Sequence, residues 1–257
     1  MIDMDQLQTF VQQNIDRVNS VSQAIPPVSA EELGADQLAR RIDHTLLKAD
    51  ATQEQVIALC QQAHQYHFAS VCVNPVFVPL CYDLLKKTDV AVCSVIGFPL
   101  GATLPQVKVY EAEQVMAAGA SEIDMVIHVG ALKGKAYTQV YEDIAAVAQA
   151  CHLHNAILKV IIEAAMLTDN EKIAACCLAQ KADADFVKTS TGFGPGGATI
   201  EDVTLMRKTI GPQMELKAAG GIRSYQDALN MIRAGATRIG ASAGIKIIRQ
   251  ALEEESP

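Results

Sequence analysis

Three lysines stand where a buried parallel sheet would carry apolar side chains. Lys159 falls in the run Ile157–Ile162, Lys188 in Asp185–Thr189 and Lys217 in Glu215–Ala218, with 29 residues from each lysine to the next. Strands covered on both faces read as near-continuous apolar runs, so a charge inside one must be paired, neutralised or reactive. Asp43 in Arg41–Thr45 and Asp124 in Glu122–Val129 add two carboxylates to the same set. A single strand lysine is commonly a snorkelling or edge residue. Three at one-unit spacing, with two acids, call for chemistry. Two ammonium groups about 5 Å apart at an effective dielectric near 20 repel by roughly 3 kcal/mol, about two pK units. Repulsion and desolvation together favour one neutral amine, a nucleophile for a carbonyl. Lys188 is the candidate, because small hydroxyl residues and the glycine-rich turn Gly192-Phe193-Gly194-Pro195-Gly196-Gly197 follow it directly. Imine chemistry also needs a proton added to oxygen and another removed, which Asp124 could carry.

The elements that must position these residues alternate regularly. From Arg41 onward, short apolar segments alternate with helix-patterned stretches, the signature of βα units around a parallel sheet. The expected strands are Arg41–Thr45, Ala69–Val73, Val90–Ile96, Glu122–Val129, Ile157–Ile162, Asp185–Thr189, Glu215–Ala218 and Thr237–Gly240. Eight strands in 257 residues predict an α/β fold, a (β/α)8 TIM barrel with a short N-terminal helical extension. The expected division is 1–37 for the extension and 38–257 for the barrel. Leu7, Phe10, Val11 and Ile15 predict one helix up to about Gln23, Pro26-Pro27 ends it, and Ser29 with Glu32 has capping-box spacing for a second short helix. Thr52 and Thr103 precede two further helices, the latter with Pro105 in its first turn. An internal echo, Ala117-Ala118-Gly119-Ala120, Ala182-Asp183-Ala184-Asp185 and Arg233-Ala234-Gly235-Ala236, places a helix stop before a strand each time.

Gly220-Gly221 after the seventh strand and Gly240-Ala241-Ser242-Ala243-Gly244 after the eighth occupy the loops where such barrels hold phosphate on backbone N–H groups. Each pair alone is ordinary turn punctuation. His128 shares the parity of Asp124, though a structural histidine is the commoner outcome, and the other histidines show no ligand spacing, so no metal site is expected. Cys72 could face the site and Glu163 could neutralise the lysines. The net charge of −8 argues against nucleic acid as a partner. Seven cysteines without a Cys-x-x-Cys pair read as reduced thiols of a cytoplasmic protein, and no membrane span or secretion signal is apparent.

These motifs carry a resemblance. Ile42-Asp43-His44-Thr45-Leu46-Leu47, Val71-Cys72-Val73-Asn74-Pro75, Glu122-Ile123-Asp124-Met125-Val126, Leu158-Lys159-Val160-Ile161-Ile162-Glu163, Phe186-Val187-Lys188-Thr189-Ser190-Thr191-Gly192, Lys217-Ala218-Ala219-Gly220-Gly221 and Gly240-Ala241-Ser242 closely resemble the deoxyribose-phosphate aldolase family of Schiff-base aldolases, in order from about Arg41 to Ile248. The resemblance implies reversible cleavage of 2-deoxy-D-ribose 5-phosphate to D-glyceraldehyde 3-phosphate and acetaldehyde, without metal or other cofactor. It makes Lys188 the Schiff-base lysine, Lys217 the neighbouring cation that activates it, Asp124 the proton relay, and Asp43 and Lys159 supporting members. Cys72 would lie near the aldehyde, and Gly192, Gly220, Gly221 and Ser242 would hold the phosphate. The chain departs from some family members in ending Glu254-Glu255-Ser256-Pro257 without a terminal tyrosine, in Ala243 for a second serine, and in Phe193 for a lysine. A small phosphorylated sugar is the expected partner, and a homo-oligomer, dimer or higher, is expected. The competing readings are another Schiff-base aldolase, acting on a keto-acid or ketose phosphate, and a non-catalytic phosphosugar-binding barrel.

Overall fold

A computed structural model describes residues 4–20 and 33–255. Eight parallel strands close into a barrel in the order β1 to β8: β1 Ile42–Leu46, β2 Ser70–Val73, β3 Ala91–Ile96, β4 Glu122–Val126, β5 Ile157–Ile161, β6 Phe186–Lys188, β7 Glu215–Ala219 and β8 Arg238–Ala241. Helices α1 Met4–Ser20 and α2 Ala35–Ala39 precede the barrel, and α3 Gln53–Gln65, α4 Val78–Leu85, α5 Pro105–Ala117, α6 Val129–Lys133, α7 Tyr137–Leu153, α8 Asp169–Lys181, α9 Ile200–Ile210, α10 Tyr225–Arg233 and α11 Gly244–Glu255 follow their strands. The expected capping box at Ser29 and Glu32 lies outside the described residues. The fourth strand is shorter than its apolar run suggested, because His128 leaves it to cap α6, its Nδ1 accepting the Ala131 N–H at 2.9 Å. Thr103 precedes α5 as expected, with Leu104 at the N-cap position and Pro105 opening the helix.

The echoed helix stops have a physical basis. His67, Gly119, Asn155, Asp183 and Gly235 all take positive φ two or three residues before a strand. One left-handed residue reverses the chain from helix to strand, and Asn, Asp and His tolerate that region better than other non-glycine types. Gly235 cannot be replaced in this way, since a Cβ there would meet the Arg207 side chain at 2.6 Å. Capping boxes at Thr52, Thr168 and Ser224 start α3, α8 and α10.

Helix α1 packs on the outside of the ring of helices. Leu7, Val11, Ile15 and Val18 of α1 are buried along α8, flanked by α7 and α9. Arg17 donates to the Thr209 carbonyl at 3.2 Å, and Lys181 Nζ sits 4.8 Å from the centre of the Phe10 ring. This explains why α8 is apolar all round: residues 173–179 are all buried, between the sheet on one side and α1 on the other.

Candidate active site

The strand register separates lysines that the sequence spaces evenly. Lys188 pairs with Lys217 across β6 and β7, but across β5 and β6 it pairs with Ile161, and Lys159 pairs with Phe186. The expectation of three equivalent strand positions is therefore corrected: Lys159 lies two residues deeper. Strands in a closed barrel tilt and stagger, so equal sequence spacing need not mean equal depth.

Depth divides the labour among the charges. Asp124 Oδ2 accepts Lys188 Nζ at 2.6 Å and Lys217 Nζ at 2.7 Å, and Oδ1 accepts Lys159 Nζ at 3.1 Å and the Cys93 thiol at 3.1 Å. Lys217 also meets Asp43 at 2.5 Å, and Lys159 meets Glu122 at 2.5 Å. Arg238 closes the figure, 2.6 Å from Asp43 and 3.2 Å from Glu122. The result is an alternating ring, Asp43–Lys217–Asp124–Lys159–Glu122–Arg238, with three cations and three carboxylates. Each ring cation touches two carboxylates closely, and Lys159 also lies 4.0 Å from Asp43. Lys188 is a seventh member that touches only Asp124.

Glu122 and Arg238 were missed in the sequence, although both carried a signal. Glu122 lies two residues before Asp124, hence on the same strand face, and Arg238 opens the eighth strand. Burial disfavours charge on Asp43, Asp124, Lys159, Lys217 and Arg238, but the opposite charges outweigh it. Asp43 is held well below the usual carboxylate range by Lys217, Arg238 and Lys159, and Asp124 by Lys159, Lys188 and Lys217. Lys159 and Lys217 are held above the lysine range against the same desolvation, chiefly by Asp124. The ring is thus a fully ionised, net-neutral plug. Cys72, Cys93 and Asp124 bring possible metal ligands within 4.8 Å, but Asp124 already faces three ammonium groups that would repel a cation.

A cavity of about 290 Å³ opens above the plug at the carboxyl ends of the strands. Lys188 lines it, whereas Asp124, Lys217, Lys159 and Asp43 do not. Gly192, Gly220, Gly221 and Ser242 all line it too, together with Lys48 and Arg223, two cations the sequence reading passed over. Gly220 has positive φ, and its carbonyl and that of Ala219 accept the Ala198 N–H at 3.0 and 3.1 Å, which leaves no space for a side chain at Gly197. Gly240 makes room for the amine of the ring: a Cβ there would lie 3.0 Å from Lys217 Cε. Cys72 sits behind the wall, its Sγ 3.8 Å from Asp124 Oδ2. Glu163 does not touch the lysines. It accepts the Thr191 hydroxyl at 2.5 Å and the Thr191 N–H at 3.3 Å, and so holds the loop after β6 against the cavity. Phe193 on that loop packs edge-on against Phe98, ring centres 5.4 Å apart.

A closed (β/α)8 barrel with one cavity-facing amine backed by buried carboxylates defines the outline of a Schiff-base aldolase. Residues 38–253 match the DeoC/LacD family of aldolases, and the chain belongs to that family: it is a lyase of the Schiff-base class. The deoxyribose-phosphate aldolase of Lysinibacillus sphaericus is 59% identical over 82% of this chain and 94% of its own, and that of Thermococcus kodakarensis 58% identical over 85% and 98%. A crystal structure from Coccidioides immitis, provisionally named a deoxyribose-phosphate aldolase, superposes with a TM-score of 0.91 at 41% identity, covering 98% of both chains. The tetrameric deoxyribose phosphate aldolase of Aeropyrum pernix superposes with a TM-score of 0.80 at 34% identity, covering 97% of this chain and 98% of its own. Among the described residues, no helix is long and apolar enough to cross a membrane.

Proposed function

We propose that the Lys188 amine carries out the reversible retro-aldol cleavage of 2-deoxy-D-ribose 5-phosphate to D-glyceraldehyde 3-phosphate and acetaldehyde. The observation that carries the residue assignment is that Lys188 alone of the buried cations reaches the cavity. The neutral amine adds to the C1 aldehyde, and loss of water leaves an iminium ion. The C3 hydroxyl gives up a proton, the C2–C3 electron pair moves into the iminium, and D-glyceraldehyde 3-phosphate departs. Protonation of the enamine at C2 and hydrolysis release acetaldehyde. In this reading Asp124 passes protons between the two amines, which is supported by the hydrogen bonds of its Oδ2 to both Lys188 and Lys217. Asp43 and Lys159 keep that carboxylate ionised and in place. The 5-phosphate rests on the backbone at Gly192, Gly220 and Gly221 and on Ser242, with Arg223 at the rim. Seven buried, unpaired cysteines fit a cytoplasmic setting, and the tetrameric relative supports a homo-oligomer.

Borohydride reduction in the presence of acetaldehyde tests the assignment. One ethyl group should appear on Lys188, and Lys188→Ala should lose both the adduct and all measurable cleavage of the sugar phosphate. An unmodified Lys188, or turnover in the alanine variant, sinks the reading.

A further inference from the structure

We propose that Arg238, at the floor of the barrel, acts as a positioning residue that sets the pH at which the cavity amine becomes reactive, by completing the neutral charge ring beneath it. The inference rests on the reading of Lys188 as the imine-forming amine.

The argument is one of charge count and connectivity. Every strand contributes a titratable or charged group to the interior: Asp43 from β1, Cys72 from β2, Cys93 from β3, Glu122 and Asp124 from β4, Lys159 from β5, Lys188 from β6, Lys217 from β7 and Arg238 from β8. Burial, the hydrogen bond with Cys72 and the negative charge of Asp124 hold the Cys93 thiol protonated, whereas the hydrogen bond with Cys93 draws the Cys72 thiol downward against burial and Asp124. The six ring members then cancel, and protonated Lys188 leaves one positive charge in excess in a buried site. That charge is discharged when Lys188 gives its proton to the cavity, which none of the other buried cations reaches. The balance depends on Arg238. Its guanidinium hydrogen-bonds both Asp43 and Glu122, meeting Asp43 Oδ1 at 2.6 Å and both Glu122 oxygens at 3.2–3.3 Å, whereas Lys159, the other cation between them, stands 4.0 Å from Asp43. Without it the carboxylates outnumber the remaining ring cations, and the plug would hold the proton on Lys188. Such a unit charge at an effective dielectric near 20 displaces an amine's ionisation by on the order of one pH unit.

The test measures the rate of acetaldehyde trapping on Lys188 by cyanoborohydride across pH, read by mass spectrometry. Arg238→Met should raise the pH of half-maximal trapping by on the order of one unit and slow trapping about tenfold at neutral pH. Arg238→Lys should restore most of the wild-type profile. Glu122→Gln, which removes a negative charge from the same ring, should move the profile the opposite way, and the double variant Arg238→Met/Glu122→Gln should return it to the wild-type position. A merely structural role would make the double variant worse than either single one. If Arg238→Met does not fold, the direction of the Glu122→Gln shift and the position of the double variant decide. Superimposable profiles for all variants, with the Lys188 adduct still forming, overturn the role of Arg238. Absence of any Lys188 adduct in the wild type overturns the reading of the site itself.

Discussion

Lys188 differs from its neighbours less by its own burial than by how many carboxylates it touches. Lys217 bridges Asp43 and Asp124, Lys159 bridges Glu122 and Asp124, and Lys188 has only a share of Asp124 Oδ2. A cation between two carboxylates is locked as a cation, whereas one sharing a carboxylate already claimed by two others can give up its proton at lower electrostatic cost. Replacing Lys217 by leucine would remove the bridge and leave Asp43 and Asp124 facing Lys188 with one fewer competing cation. The expected outcome is a cleavage rate about tenfold lower near neutral pH, recovering as the pH is raised. The pH dependence of kcat checks this, and a Lys217→Leu enzyme at full rate with an unshifted profile would refute the dependence.

At the scale of elements, the site is a product of register. The two-residue stagger between β5 and β6 lowers Lys159 toward the floor while leaving Lys188 level with Lys217, and so splits three similar side chains into ring and cavity roles. The helices outside hold that register in place, and α1 adds a layer of its own. Leu7 is fully buried, in the face of α1 that covers α8. Leu7→Ala should cost about 2–4 kcal/mol in unfolding free energy by the usual sum of lost transfer energy and cavity. Denaturant titration would measure it. Cleavage activity below the transition should stay close to wild type, because no residue of α1 approaches the cavity. A loss under 1 kcal/mol would mean that α1 adheres too weakly to stabilise the barrel.

At the scale of the whole molecule, a buried neutral ring ties stability to pH. Asp43 and Asp124 have carboxyls held below their unfolded values, so each contributes stability that is present above the unfolded pKa, near 3.9, and is lost as the pH falls toward the folded value. Asp143, pushed upward by burial despite its contact with Lys108, works in the opposite sense. Two strongly paired carboxylates against one should dominate, so Tm should be nearly flat from pH 7 to about 5 and fall steeply below about pH 4. Calorimetry across that range checks it, and Asp43→Asn, though less stable at neutral pH, should show a shallower acid slope. An equal slope in the variant would show that acid unfolding has another origin.

The amino-acid sequence by itself determined the barrel, the number of its strands, the family, and the placing of Asp43, Asp124, Lys159, Lys188 and Lys217 within strands. These follow from local signals: apolar runs of strand length, caps, helix stops and charges interrupting β-prone segments. The tertiary structure alone decided which of those charges meet. The equal spacing of 29 residues suggested three equivalent lysines, but depth in a barrel is set by strand tilt and stagger, which no single segment encodes. Closure of the sheet also brought Arg238 of β8 beside Asp43 of β1 and Glu122 of β4. The turn of Glu163 toward Thr191 and the seat of α1 on α8 were likewise invisible in sequence, since each depends on a partner far along the chain. Lys188 is recognisable in the sequence as an anomalous charge. Its standing as the buried cation that sits beside a neutral ring and reaches the cavity exists only once eight strands have closed around it.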